Sequence, residues 1–146
     1  MPIRVIAGAL SFCIFSLGLF LGVGVRPLLM TAMKRAPALI GPIVTGIFRR
    51  YNMVALVLSG LSLMLEVGSM PSMARLLMLV ALTLVLALKL AFDVVIKRRE
   101  DAAQIRGIGE EGKRLNLLHE IVEKATVAVL VLSFGSFLLN VLPGTR

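Results

Sequence analysis

Apolar positions along the chain fall in long blocks, separated by short stretches rich in lysine, arginine, proline and glycine. The clearest block, Val5 to Val25, runs for 21 residues without a charge, enough to cross a hydrocarbon core of about 30 Å as one helix. Backbone donors and acceptors in lipid need partners within their own segment, so such blocks predict helices. Four spans result, at about 5–25, 51–68, 75–96 and 119–142. The second is short: Glu66, Gly68 and Pro71 close it, and it borrows Ile47 and Phe48, or Ser69 and Met70, to reach across. The fourth opens amphipathically near Leu115 and is apolar from Ala125 to Leu142.

Between Pro27 and Phe48 apolar residues alternate irregularly with Lys34, Arg35 and prolines at 27, 37 and 42. This reads as a broken amphipathic connector at the membrane interface, with apolar side chains dipping into the acyl boundary and bases meeting headgroups. The expected fold is therefore all-α: one integral membrane four-helix bundle over residues 1–146, with that broken interfacial segment between helices one and two.

Composition agrees. With 58% hydrophobic and 16% charged residues, the chain has too little polar surface to cover a water-exposed globule. Its net charge of +8 is arranged as topology signals beside apolar spans, which argues against nucleic acid as a partner. Arg26, Lys34, Arg35, Arg49 and Arg50 flank the first connection, and Lys97, Arg98, Arg99, Arg106, Lys113 and Arg114 the third; Arg4, Arg75 and Arg146 fall on the other side. Basic loops are retained in the cytoplasm, so both termini are expected outside, in a bacterial inner membrane. The first block is too long for a signal-peptide h-region, and Arg26-Pro27 follows it where cleavage needs small residues. Cys13, the single cysteine, reads as a small apolar side chain.

Several patterns invite a site. Gly107 to Gly112 spells the glycine spacing of a dinucleotide-binding turn, but no buried strand precedes it and Glu110 and Glu111 would repel phosphate. Gly18 and Gly22 form a small-xxx-small pair, a surface for close helix packing. Lys89 and Asp93, with His119, Glu120 and Glu123 on the next helix, form a candidate polar cluster where two helix ends meet. Ionisable groups at membrane depth are costly and tend to face protein or a wet cavity, so a proton- or ion-handling site there competes with simple snorkelling toward headgroups. His119 to Glu123 lacks the second histidine of a zinc-protease helix. No serine or cysteine has a base nearby, and no catalytic residue is expected. Met64, Met70, Met73 and Met78 flank the outer hairpin, and thioethers suit Cu(I), although methionine is also an ordinary apolar residue; no cofactor is expected.

Arg26-Pro27-Leu28-Leu29, then Gly46-Ile47-Phe48-Arg49-Arg50-Tyr51, and Arg114-Leu115-Asn116-Leu117-Leu118-His119 at the last helix together resemble the transmembrane protein 205-like family over nearly the whole chain. The resemblance implies a tetraspan bacterial membrane protein and leaves the activity open. In that family a small hydroxyl residue and an asparagine follow the Leu-His pair on one face; here Val122 and Thr126 stand at those positions. The layout is also distantly similar to four-helix copper-resistance membrane proteins. The function expected is a non-catalytic structural or assembly partner in the bilayer, associating with other membrane subunits or itself. The alternatives are an ion, proton or small-solute translocator using the polar cluster, and copper handling at the methionines.

Overall fold

A computed structural model of the chain describes residues 2–35, 37–69, 72–102 and 109–142. Every element in it is helical: α1 (Pro2–Leu19), a π-helical segment (Phe20–Val25), α2 (Arg26–Met33), α3 (Pro37–Val67), α4 (Met73–Ala102) and α5 (Gly109–Val141). The π-helical segment joins α1 to α2 without a break, so the first spanning unit continues well beyond Val25. Four stretches are long and apolar enough to cross a membrane: Ile3–Ala32, Ile43–Val67, Met73–Arg98 and Glu120–Val141. The second has 25 residues, longer than the sequence pattern gave it, because α3 runs straight through Arg49 and Arg50 rather than starting after them. The break between helices one and two contracts to the turn around Lys34 and Arg35, with helix on both sides. Pro37 sits at the first position of α3, where a missing N–H costs nothing.

The helices pack as a ring, α1 against α3, α3 against α4, α4 against α5 and α5 back against α1. Their buried positions explain the arrangement. In α4 these are Arg75, Leu79, Leu82, Leu86, Lys89, Asp93 and Ile96, an unbroken alternation of four- and three-residue steps. Asn52, Ala55, Ser59, Ser62 and Glu66 in α3, Ala7, Ser11 and Ile14 in α1, and Val129, Ser133, Ser136 and Asn140 in α5 repeat it. A 3.5-residue spacing keeps one seam facing inward along a left-handed bundle.

What that seam carries is unusual for a core. Among the described residues, eleven buried polar or charged side chains outnumber nine buried hydrophobic ones, while Val57, Leu61, Met64, Leu77, Leu84, Leu88, Val127 and Val131 face outward. A soluble protein would show the reverse; lipid tails as solvent explain it. The apolar part of the interior is a single cluster of Ile14, Tyr51, Ala55, Leu79, Leu82, Leu86 and Val129. Along α1 and α5 four phenyl rings close the seam: Phe12 lies 5.0 Å from Phe137 and Phe15 4.9 Å from Phe134, centroid to centroid. Behind them the Ser11 and Ser136 hydroxyls share a 3.0 Å hydrogen bond.

Candidate functional site

The inner faces of α3 and α4 bring together a polar group with two ionisable members. Asn52 lies three residues beyond Arg49 in α3 and faces Lys89 and Asp93, which lie one turn apart on α4. Its amide N–H donates to Asp93 Oδ2 at 2.6 Å, and its carbonyl accepts from Lys89 Nζ at 2.9 Å. Asn52 thus bridges a carboxylate and an ammonium. All three are buried. The ammonium also lies 5.7 Å from the centroid of the Tyr51 ring, and the Tyr51 hydroxyl donates to the Ile14 carbonyl at 3.0 Å. Tyr51 therefore ties the site to α1. A charge held this deep needs such partners, since an unpaired ion in an apolar interior is very costly.

A second charged pair occupies the same seam nearer the α3–α4 turn. Arg75 Nε approaches Glu66 Oε1 at 2.7 Å, with both side chains essentially inaccessible. Asn52 and Glu66 are 14 residues apart, or about 21 Å along the helix, so the two sites sit toward opposite ends of the span. Between them lies the apolar cluster, crossed by hydroxyls: Ser59 and Thr83 share a 2.7 Å hydrogen bond, and Ser62 returns its proton to the Leu58 carbonyl at 2.9 Å.

The polar cluster read from the sequence is therefore divided. Lys89 and Asp93 point inward. Glu123 instead accepts from Arg26 at 2.8 Å in a half-exposed pair that joins α2 to α5, and Glu120 pairs with Lys124 on the exposed face of α5. His119 is in α5, with its side chain outside the described part. The members that sequence reading missed are Asn52 and Tyr51, and the Glu66–Arg75 pair. The signal lay in the 3–4 spacing of Asn52, Ser59, Ser62 and Glu66 on one face of an otherwise apolar helix.

The remaining features separate too. A Cβ on Gly18 would collide with the Tyr51 hydroxyl and lie 2.8 Å from Leu130 Cδ2, whereas nothing lies within 4 Å of one on Gly22. Gly22 lies within the π-helical segment, whose wider turn breaks the four-residue alignment with Gly18. Met64 and Met73 face outward, Met78 packs beside Gly135, and Met70 lies outside the described residues; among the described residues these thioethers do not converge. Among the described residues no group of three His, Cys, Asp or Glu side chains is placed to hold a metal. Of the glycine-rich stretch, Gly107 and Ile108 lie outside the described residues and Gly109 opens α5.

Fold and interior together define a four-helix bundle of membrane-spanning helices with a charged, hydrogen-bonded seam. Comparison with protein-family models, with curated proteins and with solved structures gives no match.

Proposed function

We propose that this bundle translocates protons or small cations, with Asp93 as the carrier group. One observation carries the reading: a carboxylate and an ammonium, Asp93 and Lys89, are buried inside the α3–α4 seam and bridged by Asn52. Ionisable groups that face the interior of a membrane bundle mark ion pathways and proton relays more often than they mark mere packing. Asp93 supplies the exchangeable acceptor, Lys89 offsets its charge when empty, and Asn52 keeps the two apart at fixed spacing. The apolar cluster beyond them forms a barrier of the kind that opens by wetting.

Charge placement supports the membrane and orientation: the connections flanked by Arg26, Lys34, Arg35, Arg49 and Arg50, and by Lys97, Arg98 and Arg114, share one end, which we assign to the cytoplasm of a bacterial inner membrane. The loop pattern around Arg26, Arg49 and Arg114 supports membership of the transmembrane protein 205-like family.

A purely structural role competes on its own observation. The Ser11–Ser136 and Ser59–Thr83 bonds join neighbouring helices in the manner of polar glue. Flux separates the two. Purified chain in liposomes, loaded with a pH-sensitive dye and driven by a potassium diffusion potential, is expected to acidify faster than empty vesicles, and Asp93→Asn to return the rate to that of empty vesicles. Wild-type flux equal to empty vesicles, both in this assay and with an entrapped sodium-sensitive dye under a sodium gradient, ends the translocator reading and leaves the structural one.

A further inference from the structure

The end of the seam opposite Asp93 contains polar groups that the bundle does not satisfy. Among the described residues, the buried side-chain atoms with no hydrogen-bond partner are Arg49 Nε, both Glu66 oxygens, Arg75 Nε and Asn140 Oδ1. All but the first belong to three residues at this end. The close Arg75–Glu66 approach is an ion pair with the N–H aimed off the carboxylate, so Glu66 keeps both oxygens unfilled. Asn140 donates its own N–H to the Ser136 carbonyl at 2.8 Å and is left presenting only the oxygen.

Helix register brings these groups to one level. Gly135 of α5 packs beside Met78 of α4. From that contact Arg75 lies three residues and Asn140 five residues outward on antiparallel helices, about 4.5 and 7.5 Å along their axes. Both are on the inward seam, Arg75 at 1% and Asn140 at 9% exposure, and Glu66 is fully buried. Native interiors rarely leave such atoms empty, and each asks for a ligand, a water or an ion.

We propose that Glu66, Arg75 and Asn140 form a buried binding site for a small donor-bearing cation of the ammonium or primary-amine class. The chemistry of the open valences selects it. Three of the four unfilled atoms are acceptors, two carboxylate oxygens and an amide oxygen, so the ligand must donate several hydrogen bonds. Arg75 beside the carboxylate keeps the set neutral before binding, so a bound cation is held by the hydrogen bonds it donates to these oxygens rather than by net charge. Ammonium, with its N–H donors, meets these demands in separate directions; an alkali cation would need the same oxygens drawn into one coordination shell. This assignment concerns binding at the outer pair and stands apart from whether Asp93 carries anything.

Thermal unfolding of the detergent-purified full chain tests it, with ammonium or methylammonium chloride compared with sodium chloride at equal ionic strength. The expected result is a saturable rise of a few degrees with ammonium and methylammonium alone. Asn140→Leu, which removes the free carbonyl without breaking an ion pair, is expected to abolish the rise, and Asp93→Asn to keep it. Glu66→Gln should abolish it as well; if that variant does not fold, Asn140→Leu alone decides. Absence of an ammonium-specific rise in folded wild type overturns the proposal, as does an equal rise with sodium or an undiminished rise in Asn140→Leu.

Discussion

Gly18 and Gly22 are spaced like a packing pair, but only Gly18 has a neighbour within reach, the Tyr51–Leu130 contact. Replacing Gly18 with Ala should force Tyr51 off the Ile14 carbonyl and cost about 1–3 kcal/mol of stability, while Gly22→Ala should cost little. Unfolding in mixed SDS micelles followed by circular dichroism measures both; equal costs would mean that the tyrosine contact is not what Gly18 protects. Asn52 is the more consequential residue. Asn52→Leu removes both the bond to Asp93 and the bond from Lys89, leaving each charge one partner short, and is expected to destabilise by about 1–3 kcal/mol. The same titration reads it, and a stability within error of wild type would show that the two charges find other partners. Spacing marked Gly18 as a packing position and put Asn52 on one face with Ser59, Ser62 and Glu66, but it named the partners of neither. Lys89 and Asp93 stand out in the sequence because charges within an apolar block are rare. Asn52 was hidden by its place beside Arg49, Arg50 and Tyr51, where a polar residue reads as the edge of a span rather than as part of its interior.

At the scale of elements, length was the legible quantity and continuity was not. Val5 to Val25 announces a helix because no charge interrupts it, and the 75–96 block does so despite three, Arg75, Lys89 and Asp93. The first helix nevertheless runs on through a π-helical segment into α2, and α3 begins at Pro37, because proline at a first turn and arginine near an interface both permit helix. Reading them as boundaries shortened the second span. Continuation of α1 into α2 has a consequence: it carries Arg26 to Glu123 on α5. With side chains 41% and 54% exposed, this pair should contribute modestly, with a coupling energy below about 1 kcal/mol in a double-mutant cycle of Arg26→Ala and Glu123→Ala. Raising salt should reduce the coupling further. A coupling of several kcal/mol would instead require the pair to sit in a dry environment, deeper than its exposure implies.

The whole molecule is apolar outside, polar within, and basic at one end, and these three properties constrain one another. Four spans in antiparallel succession put the α2–α3 turn and the α4–α5 connection at one end and the α3–α4 turn at the other. The basic residues at Lys34, Arg35, Lys97 and Arg98 share the first end, and the Glu66–Arg75 pair lies toward the second. Lysine and arginine in short loops resist translocation, which supports the proposed orientation with the first end in the cytoplasm; the buried carboxylate at Asp93 lies toward that end. Orientation thereby also decides from which side each candidate cation site is reached. Single cysteines in a Cys13→Ala background test this in intact cells with a membrane-impermeant maleimide. Ser72→Cys, beside the outer turn, is expected to label directly, and Arg35→Cys and Arg98→Cys only after permeabilisation. The reverse pattern would invert the bundle and make Asp93 the outward-facing site. Labelling of all three from one side would remove a crossing between them, and with it the common end that makes the charge asymmetry a topology signal.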